Sequence, residues 1–204
     1  MVHGVGGRSL ERRRGTRSER SRILVVTEGK VTEPQYFRGL AQYVKATGVD
    51  IRALDIVGLG RDPLRIVLEA VRLRKEGQNR DLGNDGYDSA WCVIDVDRHD
   101  TLSNAISLAR REKISIAITN PCFELWILWH FKDRTVNIQS SELRRLLRPY
   151  GCADKKLPRD FAYVNYRDAV RRASVQANTV EDVQAIPMNP GTGVHVLVSA
   201  LIPG

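Results

Sequence analysis

Two short runs, Ile23-Leu24-Val25-Val26-Thr27-Glu28-Gly29 and Ala90-Trp91-Cys92-Val93-Ile94-Asp95-Val96-Asp97, pass from apolar, β-branched sequence straight into acid. A continuous apolar run this short, without polar alternation, predicts a strand covered on both faces, the situation of a parallel sheet between helices. In open sheets of that kind ligands gather beyond the carboxyl ends of the strands. The feature therefore constrains the chain to an α/β fold and predicts Glu28, Asp95 and Asp97 on one rim.

The sequence around these runs keeps the same rhythm. Thr32-Glu33-Pro34-Gln35 has the spacing of a capping box, with Thr32 as cap and Gln35 three residues on, and Tyr36, Phe37, Leu40, Ala41 and Val44 fall on one helical face. A second strand is expected over Ile51–Val57, closed by Gly58 and Gly60, and Asp62-Pro63 opens a second helix with Leu64, Val67, Leu68 and Val71 turned inward. The third strand spans Ser89–Ile94. A helix carrying Leu102, Ala105, Ile106 and Ala109 leads to a fourth, Ile114–Ile118. This β-α-β-α-β-α-β order argues for a mostly parallel β-sheet flanked by helices on both faces.

The next segment is apolar all round. Asn120-Pro121 can cap and start a helix holding Phe123, Leu125, Trp126, Ile127, Leu128, Trp129 and Phe131, which must bury itself against the sheet or against a partner, including a second copy of the chain. One acid, Glu124, stands inside it. A carboxylate there needs a cation, strong donors or a proton, and its place just after the fourth strand puts it on the same rim as Glu28 and Asp95.

Beyond Phe131 the pattern is helical and basic, through Ser141–Arg148, a loop with Lys155, Lys156 and Arg159, Tyr166–Ala177, and a terminal stretch with Val194, Leu197, Val198 and Leu201 at helical spacing. The expected organisation is a flexible basic arm over 1–22 and one domain over 23–204, made of an α/β core at 23–131 and a helical part at 132–204. The arm holds seven arginines against two glutamates, +5 of the chain's net +8. Such a segment suits loose contact with a polyanion, or merely raises solubility. No run reaches the roughly eighteen apolar residues of a membrane span, and no signal-peptide pattern follows the arm, so a cytoplasmic, non-membrane protein is expected. Cys92, Cys122 and Cys152 lack the close spacing of zinc sites and suggest no disulfide framework.

Carboxylates in this arrangement suit a hard divalent cation, Mg²⁺ or Mn²⁺, and phosphoryl or phosphodiester chemistry in which one free carboxylate moves a proton. Asp95 and Asp97 at i and i+2 are the expected metal ligands, Glu124 an additional one, and Glu28 the proton carrier. Lys30, Arg98, His99, Lys155 and Lys156 are the expected substrate contacts. Glu33 is explained by the helix dipole alone. His130 and His195, without ligand-spaced partners, read as core or surface residues.

Four blocks, Val25-Val26-Thr27-Glu28-Gly29-Lys30-Val31-Thr32-Glu33-Pro34-Gln35-Tyr36-Phe37, Asp95-Val96-Asp97-Arg98-His99, Asn120-Pro121-Cys122-Phe123-Glu124-Leu125-Trp126 and Asn189-Pro190-Gly191-Thr192-Gly193-Val194, together resemble the RloB-like family from Arg22 onward. The resemblance implies a Toprim-like fold, shared with topoisomerase, primase and OLD-type nuclease domains. It also implies Glu28 as general acid or base, Asp95 and Asp97 as Mg²⁺ ligands, and a role in restriction-linked or abortive-infection defence beside a separately encoded ATPase. The chain contains no phosphate-binding Gly-x-x-x-x-Gly-Lys-Ser/Thr loop of its own, so an ATPase would act in trans.

Two readings follow, a metal-dependent nuclease and a catalytically silent module that binds nucleic acid or a protein. A third, a phosphatase with Asp95 as nucleophile, is disfavoured because that class places its acid pair after the first strand, whereas this pair follows the third.

Overall fold

The computed structural model describes residues 21–60, 62–79, 86–96, 100–152, 155–177 and 185–203. The expected arm therefore lies almost wholly outside the described residues, as do Asp97, Arg98 and His99. The elements run β1 (Arg22–Thr27), α1 (Thr32–Ala46), β2 (Ala53–Gly58), α2 (Pro63–Asn79), β3 (Ser89–Asp95), α3 (Leu102–Glu112), β4 (Ser115–Asn120), α4 (Glu124–Leu128), α5 (Ser140–Leu147), α6 (Tyr166–Ala177), β5 (Gly191–Thr192) and α7 (Val194–Leu201).

The strands stand in the order β2-β1-β3-β4-β5, the first four parallel and β5 antiparallel to β4. The apolar runs feed both faces by alternation. Ile23 and Val25 of β1, with Trp91 and Val93 of β3, enter the core shared with α1, α4, α5, α6 and α7, while Leu24, Val26, Ala90, Cys92 and Ile94 enter the one shared with α2 and α3. That two-sided burial is why neither strand shows polar alternation. The result is a mixed α/β fold with a central sheet flanked by helices and a C-terminal helical segment, consistent with a Toprim-like fold.

Three local expectations change. Thr32 and Gln35 form no capping box. Thr32 Oγ1 donates to Lys155 O (2.8 Å), and Gln35 donates to Leu157 O (2.7 Å) and accepts from Leu157 N (3.0 Å), so both tie α1 to the 155–157 segment. On α2 the buried face is Ile66, Val67 and Ala70, and Leu68 is exposed. The segment is apolar at too many positions for spacing to select a stripe. Finally, β4 continues through Asn120, whose backbone pairs with Gly191, so α4 begins only at Glu124.

The apolar α4 region packs within its own chain. Trp126 and Trp129 are fully buried, and Phe131 stacks on Tyr150 with ring centroids 4.0 Å apart. Among its rings lies His130, held between Trp126 O (3.1 Å from Nδ1) and the Tyr36 hydroxyl (3.2 Å from Nε2). A carbonyl only accepts, so Nδ1 carries the proton and Nε2 accepts from Tyr36. Burial lowers its pKa from 6.5 to about 4, which keeps the ring neutral. His130 is a core residue, one of the two placements, core or surface, that its isolation in the sequence left open. No described helix is long and apolar enough to cross a membrane.

Candidate active site

Glu28 follows the last residue of β1 and is held by backbone groups of β3 and of the segment after β2. Its backbone N–H donates to Val93 O (3.0 Å) on β3, its carbonyl accepts from Gly60 N (2.7 Å), and its Oε2 accepts from Asp95 N (3.2 Å). The parallel register pairs Thr27 with Val93, so the side chain of Glu28 needs to reach only to the end of the neighbouring strand, where Asp95 sits. The strand-end expectation for Glu28 and Asp95 thus has a direct geometric counterpart.

The turn after Glu28 is clamped by Glu33. Gly29 N donates to Glu33 Oε1 (2.8 Å), and Thr27 Oγ1 donates to Gly29 O (2.8 Å). Gly29 leaves room for that carboxylate, because a β-carbon there would lie 2.0 Å from Glu33 Oε2. Gly58, at the end of β2, allows the other close approach, since its β-carbon would lie 2.7 Å from Gly29 O. Glu33 stands in the first turn of α1, as the dipole reading requires, and is also a buried residue of the cleft. Burial pushes its carboxyl up, Glu124 and Glu28 push the same way, and the backbone N–H groups of Glu33 and Gly29 pull it down.

These groups open onto one cleft of about 570 Å³, lined by Glu28, Lys30, Glu33, Asp62, Asp95, Phe123, Glu124 and Lys155 among others. Glu124, at the first turn of α4, reaches the rim as expected. Asp62 joins the lining while also accepting from Arg65 N (3.2 Å) at the start of α2. Lys156 is exposed and outside this lining. Cys122 lies beneath the rim, and burial, followed by Glu124 and Asp95, pushes its thiol well up. Glu33 and Asp62 are what sequence reasoning missed. The available signal was loop length, because short β1–α1 and β2–α2 connections bring the first turn of α1, with Glu33, and the residue before α2, Asp62, close to the strand ends.

Two of the four sequence blocks build the scaffold around the rim. Asn120 Nδ2 donates to Pro187 O (2.9 Å), and Asn189 holds Ile138 through both its amide atoms, accepting from the N–H (3.0 Å) and donating to the carbonyl (2.9 Å). Thr192 meets Thr119 through their hydroxyls (2.7 Å). A β-carbon on Gly191 would lie 2.5 Å from Met188 O, so this glycine serves close backbone packing.

The donors in the cleft are hard carboxylate oxygens, the type that Mg²⁺ and Mn²⁺ accept. Among the described residues no three His, Cys, Asp or Glu side chains are gathered closely enough to hold one ion. Asp97, the other expected ligand, lies outside those residues. Mg²⁺ commonly takes only one or two carboxylates, completing its shell with water and phosphate oxygens, so the donor set fits such a cation in kind.

The fold and the acid rim define an α/β protein with a Toprim-like sheet and a carboxylate cleft at its strand ends. Residues 23–201 match the family described as RloB-like protein, and the chain belongs to that family. Comparisons with curated proteins and with solved structures gave no match.

Proposed function

We propose that the chain is a Mg²⁺- or Mn²⁺-dependent Toprim-type nuclease that hydrolyses phosphodiesters of nucleic acid in bacterial anti-phage defence, together with an ATPase acting in trans. Family membership supports the defence role. The observation that supports the chemistry is that Glu28, whose carboxylate accepts from the Asp95 backbone N–H, lines one cleft with Asp95, Glu33 and Glu124.

In this reading Asp95 and Glu124, with Asp97, would hold the cation. A cation bound there would supply charge neutralisation and polarisation of the phosphate. Glu28 accepts the proton of the attacking water at its carboxylate, which the Asp95 N–H orients. Glu33 keeps the Glu28 turn in place through Gly29. Lys30 and Lys155, at the edge of the cleft, meet the incoming phosphate.

The test is cleavage of DNA and RNA by the purified full chain with Mg²⁺ or Mn²⁺, alone and with the neighbouring ATPase. Wild type should cut, and Glu28→Gln and Asp95→Asn should lose at least about 10²-fold in rate, in line with removal of a general base, while melting normally. Absence of cutting under all these conditions, with host protection intact in Glu28→Gln, would sink the proposal. The second reading, a silent binding module, takes the same family membership without the metal chemistry. It expects loss of function on deleting 1–22 and none in Asp95→Asn.

A further inference from the structure

The acid cleft adjoins a second groove of about 460 Å³ that shares Lys30 and Val31 with it and is walled further by Gln35, Arg38, Arg159 and Tyr163. Its floor is the outward face of α1, where Gly39 makes room for the Tyr163 ring; a β-carbon on Gly39 would lie 2.0 Å from that hydroxyl. The ring is held in place, its hydroxyl donating to Gln35 O (3.4 Å) and its face stacking on Tyr43.

No carboxylate lines this groove. Arg22, Arg72, Arg134, Arg171 and Arg172 are each engaged by a carboxylate elsewhere on the surface. Among the described residues Arg38 donates to the Ile56 carbonyl (3.4 Å), and neither it nor Arg159 faces an acid within ion-pair distance, which is equally true of Arg144 and Arg145 on α5; what sets the first two apart is their place in a groove that adjoins the acid cleft. The Lys30 stem lies against Gly60, whose added β-carbon would meet Lys30 Cε at 2.5 Å, so Lys30 stands at the junction of the two depressions. A cluster of acids alone repels a polyanion, and a strand can stay on it only if cations beside it hold the flanking phosphates.

We propose that this groove binds the phosphodiester backbone of the nucleic-acid strand that enters the acid cleft, with Lys30 at the junction and Arg38 and Arg159 on the phosphates beyond it. The inference rests on the reading of the cleft as a phosphodiester site. Tyr163 and Gln35 form the uncharged wall between the cations, and contacts of this kind position a strand without reading its sequence.

Binding of the full chain to fluorescent single-stranded DNA and RNA oligomers of one sequence, followed by anisotropy in EDTA from 50 to 200 mM salt, tests this. Arg38→Glu/Arg159→Glu is compared with Arg144→Glu/Arg145→Glu, an equal charge change at exposed positions of α5. The groove variant should bind at least about tenfold more weakly, and its log K against log salt slope should flatten by about 1.4, the value for two phosphates of a single strand. The α5 variant should change less than about threefold. Loss confined to the groove variant supports the proposal, with either strand, and the DNA and RNA arms show which backbone is preferred. Equal losses in the two variants would overturn it, since net charge and the arm would then account for binding. Displacement of the strand by an acidic peptide as readily as by unlabelled oligomer would also overturn it, pointing to a protein partner. Because binding is read without metal, failure of hydrolysis leaves this result standing, and a groove variant that binds normally refutes the groove alone.

Discussion

Replacing Gly58 with alanine strikes the turn that carries Glu28 without touching any acid. The added β-carbon would lie 2.7 Å from Gly29 O, 2.8 Å from Pro34 Cγ and 3.0 Å from Lys30 Cα. The first is about 0.7 Å short of ordinary van der Waals contact. All three neighbours are backbone or ring atoms, so no side-chain rotation relieves the overlap and the 29–30 turn itself must shift. Overpacking of this sort costs about 1–3 kcal/mol. In an ordered region of this size that lowers Tm by about 2–4 °C per kcal/mol. Glu28 moves with its turn, and displacement of a reacting group by most of an ångström costs roughly tenfold to a hundredfold in rate. Calorimetry and the cleavage assay should therefore show both losses together. Gly48→Ala is the control. Gly48 has φ +77° and no atom within 4 Å of an added β-carbon, so alanine there costs about 1–2 kcal/mol of backbone strain and leaves cleavage unchanged. If Gly58→Ala melts within about 1 °C of wild type and cuts normally, the claim that this turn is held by close packing is wrong.

Other expectations concern titration. His130 has a folded pKa of about 4 against 6.5 when unfolded, so its contribution is fully present above pH 6.5 and is lost as pH falls toward 4, about 3 kcal/mol in all. The raised Glu33 carboxyl acts in the opposite direction in acid, which makes the comparison with His130→Gln the informative one. Denaturant titrations between pH 7 and 4 should give wild type a steeper loss of stability by up to about 1.4 kcal/mol per pH unit; parallel curves would contradict the buried neutral imidazole. Cys92, Cys122 and Cys152 are buried, with all three thiols pushed up, Cys152 to about 11. A thiol reagent at pH 8 should label none of them rapidly in the native protein and all three in denaturant. Fast native labelling at any site would show that the packing around it is looser than described.

The strands and their order of appearance were legible because Ile23–Val26 and Ala90–Ile94 are buried on both faces, and burial of that kind leaves a continuous apolar run. The rim followed from strand polarity, and Glu124 stood out as the one acid in an apolar segment. What escaped has physical reasons. β5 is two residues long and carries no periodicity. Thr32 and Gln35 have the local spacing of a capping box, yet their hydrogen bonds go to residues more than a hundred positions away. Glu33 already had a sufficient local explanation in the helix dipole, and only the approach of Gly29 shows its other role. The groove beside the cleft joins α1 to the 158–163 segment, a pairing that no sequence spacing records.

On the proposed function, the cleft holding Glu28, Asp95 and Glu124 binds a divalent cation for phosphodiester hydrolysis. Anomalous diffraction from crystals of the full chain soaked in Mn²⁺ tests it most directly. A peak in that cleft bonded to Asp95 is expected in the wild type, and none in Asp95→Asn. No peak there at a Mn²⁺ concentration that supports nucleic-acid cleavage would contradict it.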